Sequence, residues 1–374
     1  MNKHQIWKPS ILDETCRRMV ISTSWVYRIH LEEQRLRDSI QKLLSIYPIL
    51  GGRVNNDDVI FPSGDIHFEY LHRKGSAENL IGKNTLSKKY EAKFDLKKML
   101  KGCFPLVSIK ITGLAGGSIL SISASHLLMD GRCFYRITNT LMSIYSGEIP
   151  DADIVFDDSV IPQINLPDSL DTSMFYPIPK TALLSVIWKK FYKPRKKRIL
   201  IKNDEIMKIK NKAGVSRTAV LSAMVYEIMG RKAISIVQTA DHRRHVEAIS
   251  PNYGGNAAST LFPIDLIADL SAEEAARIID DGIKRYMKDD EKHFPEYLYL
   301  LRNKLPYLPF PLGDAWKRNP DCIICNSFIS FGIYDEMAAG GAVPAYAFPP
   351  DLPDPVRFFP APPEEDGIYI LLNL

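Results

Sequence analysis

Long apolar runs are missing from these 374 residues: no stretch approaches the ~20 consecutive apolar positions needed to cross a bilayer. The opening residues, MNKHQIWKPSILDETCRR, hold no apolar block of signal-peptide type. Cysteine is scarce, with five residues, Cys16, Cys103, Cys133, Cys322 and Cys325, an odd number scattered too widely for a disulfide framework. These absences predict a protein of the reducing cytoplasm without a membrane span. Excess charge is also small, a net +4, which calls for neither nucleic acid nor a membrane surface and is satisfied by a phosphate-bearing small molecule. There is no Walker-type loop, no dinucleotide fingerprint and no HExxH, so nucleotide hydrolysis, hydride transfer and zinc proteolysis lack support. Cys322 and Cys325 form a CxxC with Ile-Ile between them in a strand-like run and no second pair, so no metal is expected.

What is present is ordinary globular composition, 45% hydrophobic and 25% charged. The chain exceeds what one compact core usually supports, which predicts two domains and a cleft. Periodicity predicts a strand over 17–29, then a helix on which Leu31, Leu36, Ile40, Leu43 and Leu44 share a face before Pro48 and the turn Gly51-Gly52. Strands follow at 58–61, 66–70, 104–112 and 118–125, and a helix after Gly131 buries Phe134, Ile137, Leu141 and Ile144 and stops at Gly147. Prolines at 150, 162, 167, 177 and 179 mark an extended crossover. Beyond it come a strand at 197–202, a helix at 216–230, strands at 233–240 and 257–265, a helix at 271–288, and strands at 322–331, 344–348 and 367–373. The expectation is an α/β protein with domains at 1–160 and 196–374 joined by a linker over 161–195, each mixing helices with a sheet.

The sharpest local pattern is SHLLMDG, residues 125–131. With eight histidines, about 0.03 His-x3-Asp-Gly matches are expected by chance. The motif follows an apolar strand and precedes an amphipathic helix, which puts His126 on a loop at a strand end, with Gly131 permitting a tight exit. A neutral imidazole of pKa near ~6.5 accepts the proton that an alcohol or amine loses as it attacks a carbonyl. Asp130 either orients that imidazole or points away to hold an arginine; the spacing allows both. An isolated motif of this kind serves equally well as a packed histidine with a turn aspartate.

Four further segments accompany it in order. SIYPILGGRV (45–54) and FPLVSIKITGLAGGSILSISASHLLMDG (104–131) lie in the first half; RTAVLSAMVYEIMGR (217–231), TADHRRHVEAISPNYGGN (239–256) and NSFISFGIYDEMAAGGAVP (326–344) lie in the second. In register, these five stretches resemble the BAHD family of acyl-coenzyme A-dependent acyltransferases, relatives of chloramphenicol acetyltransferase and of peptide-synthetase condensation domains. The resemblance implies two chloramphenicol acetyltransferase-like domains with an active-site channel at their interface. It implies His126 as general base, Asp130 as a structural aspartate held by Arg243, Gly131 as the loop's exit, and Asn326 as oxyanion donor. Acyl-coenzyme A is then a co-substrate, no cofactor is tightly bound, the acceptor is a small-molecule alcohol or amine, and the protein is expected to be a monomer. A carrier-protein-dependent condensation enzyme is one alternative, although such domains usually have a second histidine where this chain has Ser125. A catalytically idle binding protein of the same fold is the other.

One departure stands out. The family's Asp-Phe-Gly-Trp-Gly is replaced by MAAGGAVP (337–344), which lacks the aspartate and the tryptophan, and the asparagine that this aspartate binds in the family corresponds to Ala240. Asp335 or Glu336 is the expected substitute. For the coenzyme's phosphates the candidates are Lys196, within a basic cluster with Lys189, Lys190, Lys193, Arg195, Lys197 and Arg198, and Ser216 and Thr218 at a helix start, where capping is the simpler role. His242 and His245 lack any carboxylate at metal-site spacing and read as surface or packing residues.

Overall fold

A computed structural model describes residues 5–62, 64–151, 153–168, 196–260, 263–303, 322–350 and 356–373. The linker prolines 177 and 179 and the basic residues Lys189, Lys190, Lys193 and Arg195 lie outside the described residues. The chain divides into two compact units, and neither is continuous in sequence. The first comprises Met1–Pro162, Asn252–Asn256 and Ser330–Leu352; the second comprises Gln163–Pro251, Ala257–Ile329 and Pro353–Leu374. The linear reading assigned both later stretches of the first unit to the second domain. Backbone pairing draws them away: Tyr346–Phe348 runs antiparallel to Val20–Tyr27, and Tyr253 bridges to Val155.

The first unit is built on a five-stranded mixed sheet in the order Tyr346–Phe348, Val20–Tyr27, Gly117–Ser125, Val107–Ala115, His67–Ser76. The hairpin at its centre is buried almost throughout, which suits the β-branched content of VSIKIT and SILSIS. Its serines are satisfied across the ladder: Ser22 Oγ lies 2.9 Å from Ser123 Oγ, and Ser24 Oγ donates to Ser121 Oγ at 2.8 Å. The turn needs Gly116 at φ 73°, and a Cβ on Gly117 would run into the Tyr27 carbonyl. The helices Glu33–Ile46 and Gly131–Ser146 carry the expected apolar faces, and the latter ends on Gly147 at φ 85°. A smaller antiparallel sheet joins Gln5–Trp7, Asp58–Phe61 and Arg53–Asn55.

The second unit holds a mixed sheet in the order Ala258–Thr260, Ile234–Asp241, Cys322–Ser327, Val356–Pro360, Gly367–Asn373, Lys196–Lys202, with Ile264–Leu266 also paired to Ile234–Asp241. Its three central strands run parallel, and the last two pairings are antiparallel. Of the predicted strand at 257–265, the described residues Ala258–Thr260 and Ile264–Leu266 both pair antiparallel with Ile234–Asp241. Parallel strands need both faces covered. The helix Arg217–Ile228, buried from Ala219 to Tyr226, joins the core with Ala275, Ala276 and Ile279 of the helix Ala272–Lys288. Two further helices, Asn203–Ala213 and Asp290–Arg302, had no counterpart in the sequence reading. The first buries only Ile206, and the second carries Pro295 inside it, so the usual signals were weak.

Candidate active site

His126 follows the last residue of the strand Gly117–Ser125, because register fixes it there. Val20 pairs with Ser125, so the next residue outward on each strand meets its partner: His126 N donates to Met19 O at 2.9 Å. The loop then turns on Ser125, whose Oγ accepts from Leu127 N and whose carbonyl accepts from Leu128 N. Asp130 is the N-cap of the helix Gly131–Ser146, and its Oδ1 accepts from Cys133 N at 3.1 Å. Gly131 is the first residue of that helix. Leu127, Leu128 and Met129 are fully buried, while His126 keeps partial exposure at the strand end.

The main chain at His126 is clamped by residues that sequence reasoning left without a role. Asn256 Nδ2 donates to the His126 carbonyl at 2.8 Å and to Asp13 Oδ1 at 2.7 Å, and Asn256 N donates to the same Oδ1 at 2.8 Å. Asp13 is itself set by a capping box with Ser10 at the start of the helix Ile11–Thr15. The pattern Ser10-x-x-Asp13 was readable as a cap; its partner 243 residues away was not. Complete burial pushes the Asp13 carboxyl up to about 6 against the opposing hydrogen bonds from Ser10 and Asn256. A carboxyl whose folded pKa lies above its unfolded value of 3.8 contributes stability that is full below about pH 4 and is lost as pH rises through about 6. Replacing Asn256 by alanine removes the Nδ2 group that donates to this carboxylate and to the His126 carbonyl while keeping the backbone N–H to Asp13, and is expected to cost roughly 1–3 kcal/mol, read as a fall in the denaturant midpoint at pH 7. An unchanged midpoint would mean that the clamp does not hold the loop.

Cys16, just beyond the Ile11–Thr15 helix, brings its thiol against the His126 imidazole. The approach is enforced by the backbone, since Met19 N donates to Cys16 O at 2.8 Å while Met19 O holds His126 N. Burial on its own lowers the imidazole's pKa; the neighbouring Cys16 outweighs it, helped by the residue's own backbone carbonyl and the charge of Asp130, and the imidazole is lifted to about 9. Its Nδ1 is buried and meets no partner in hydrogen-bonding geometry among the described residues.

The remaining predicted residues lie in the second unit. Arg243 is buried, and its Nη1 donates to Asp241 Oδ1 at 2.9 Å. Asn326 stands in the strand Cys322–Ser327, where its Oδ1 accepts from Thr239 Oγ1 at 3.2 Å. Ser216 caps the helix Arg217–Ile228 through Ala219 N, and its own N–H donates to Asp280 Oδ1 at 2.9 Å, so a carboxylate already attends that helix start; Thr218 lies in the first turn. Lys196 opens the strand Lys196–Lys202, opposite Asn373. His245 is exposed, whereas His242 is fully buried against a carboxylate 48 residues downstream.

The altered loop at 337–344 belongs to the first unit and has its own ties there. Tyr27 Oη donates to Met337 O at 2.8 Å, Ser146 Oγ donates to Ala338 O at 3.0 Å and accepts from Gly340 N at 2.9 Å, and Asn139 Nδ2 donates to Glu336 Oε2. Glu336 thus bonds Asn139, whereas the expected substitute contact was to the segment around Ala240.

A model of the transferase family matches residues 67–336. No curated protein sequence matches the chain. Among solved structures, TRI101 of F. graminearum, complexed with coenzyme A and T-2 mycotoxin, is similar at a TM-score of 0.72 and 14% identity, over 98% of this chain and 94% of that one. TRI101 of F. sporotrichioides, complexed with coenzyme A and T-2, gives a TM-score of 0.67 at 15% identity over 98% and 94%. Vinorine synthase gives a TM-score of 0.65 at 17% identity over 98% of this chain and 89% of its own.

Proposed function

The chain belongs to the transferase family of BAHD acyltransferases, and from that premise we propose that it moves an acyl group from acyl-coenzyme A to a hydroxyl or amine of a small acceptor, with His126 as general base. The observation that carries this reading is the placement of His126: a partly exposed histidine at a strand end, its backbone fixed by Met19 and Asn256. Such a ring can take a proton without the loop having to reorganise.

His126 removes the acceptor's proton as the acceptor attacks the thioester carbonyl, and the imidazolium then protonates the departing thiolate. Asn326 is assigned to the oxyanion. Its amide is oriented by Thr239, whose hydroxyl engages Oδ1, leaving the amide NH₂ as the donor end. Asp130 holds the loop rather than the ring, since its carboxylate caps the following helix, and Arg243 is assigned to the same supporting role. Free coenzyme A is favoured as donor because Ser125 is spent on turning the loop and stands where condensation domains usually place a second histidine. The solved relatives carrying coenzyme A support the same donor.

Thiol release from a panel of acyl-coenzyme A donors, with and without candidate alcohols and amines, tests the proposal. Acceptor-dependent release supports it; release only from an acylated carrier protein transfers the role to a condensation enzyme; no release from any donor leaves an idle binding protein.

A further inference from the structure

Three side chains of the second unit that acyl transfer does not use stand in hydrogen-bonded series. His242, directly after the strand Ile234–Asp241, places Nδ1 2.7 Å and 2.9 Å from the two carboxylate oxygens of Asp290 and Nε2 2.6 Å from Ser259 Oγ. Asp290 is the first residue of the helix Asp290–Arg302, and Ser259 is the middle residue of the edge strand Ala258–Thr260. The backbone fixes the imidazole from one side, through His242 N donating to Ala257 O at 2.9 Å. Phe294, one turn along from Asp290, packs its ring 4.3 Å from the imidazole centre.

The protonation pattern follows from the partners. A carboxylate can only accept, so Nδ1 carries the hydrogen, and in the neutral ring Nε2 presents its lone pair to the serine hydroxyl. Histidine and aspartate are fully buried, whereas Ser259 keeps partial exposure. A purely structural network would satisfy buried groups equally well. It would not require that the exposed member be the nucleophilic one, at the Nε2 end, with the carboxylate at the Nδ1 end.

We propose that Ser259, His242 and Asp290 form a second catalytic centre, a serine nucleophile with its base and orienting carboxylate, that hydrolyses uncharged carboxylic esters with short acyl groups. The residue paired with Ser259 across the ladder is Ala240, and its chain neighbours are Ala258 and Thr260, none of which carries a charge. Ser259 Oγ attacks the ester carbonyl as its proton passes to Nε2; the alcohol leaves with that proton, and an acyl-serine remains. Water then gives a proton to Nε2 and attacks the acyl-serine, and Ser259 departs with the proton back on Oγ. One ester and one water become one acid and one alcohol. The centre is independent of the role assigned to His126.

The test uses the full chain, a fluorophosphonate probe with peptide mapping by mass spectrometry, and turnover of p-nitrophenyl acetate. The wild-type protein and the H126A variant are expected to carry an adduct on Ser259 and to release nitrophenol, and S259A to lose both while keeping its circular dichroism spectrum. D290N preserves volume in the buried site but offers the wrong tautomer, so labelling should slow by about 10²- to 10⁴-fold. The proposal is overturned if folded wild-type protein shows neither adduct nor turnover, if turnover survives in S259A, or if D290N labels at the wild-type rate, which would make Ser259 an ordinary accessible hydroxyl.

Discussion

Replacing His126 by alanine is expected to reduce acyl transfer by about 10²- to 10⁴-fold while leaving the fold in place. The structural reason for the second half of that expectation is that the residue's anchors are main-chain atoms: its N–H to Met19 and its carbonyl to Asn256. Alanine keeps both. What is lost is the imidazole alone, whose buried Nδ1 has no partner among the described residues to be orphaned. Steady-state thiol release alongside thermal melts distinguishes the outcomes. A variant within threefold of wild-type activity removes His126 from the mechanism, and one that fails to fold gives the loop a structural weight that its hydrogen bonds do not predict.

The second large effect concerns Cys16 and the pH profile. Burial works against protonation of His126, but Cys16, with the smaller effects of the backbone carbonyl and Asp130, overrides it and holds the proton up to about pH 9. A base must be neutral to act, so the neutral fraction at pH 7 is about one in a hundred, and kcat/KM should climb close to tenfold per pH unit until it levels near 9. Removing the thiol with C16A deletes the largest contributions that raise the imidazole and leaves burial, which lowers it, opposed only by the backbone carbonyl and Asp130. The acid limb should move down to or below neutrality, and activity at pH 7 should rise by up to about 10²-fold. Superimposable profiles for wild type and C16A would remove Cys16 as the cause of the raised imidazole.

Much of the scaffold was readable because it is encoded locally. The strand Gly367–Asn373 and the helix Gly131–Ser146 lie within the bounds that periodicity and a terminal glycine imply. The motif placed His126 at a strand end, but left Asp130 free either to orient the ring or to point away. The structure gives its carboxylate to Cys133 N. What lay beyond the sequence is everything that depends on register between distant segments. Cys16 meets His126 only because Val20 pairs with Ser125, and Asn256 reaches both Asp13 and the His126 carbonyl across more than a hundred residues of chain. The ties of the 336–340 loop were hidden for the same reason: Tyr27, Asn139 and Ser146 are ordinary residues until folding brings the loop to them. His242 read as packing because its carboxylate comes from a helix masked by Pro295.

The interrupted course of the first unit has a consequence during synthesis. Its sheet is closed on one side by Tyr346–Phe348, which is made more than 300 residues after the strand it pairs with. Until then Val20–Tyr27 presents a bare ladder of amides and carbonyls to neighbouring nascent chains. A fragment stopped at Pro162 would keep that edge permanently open, so aggregation is the expected fate of an N-terminal half expressed alone.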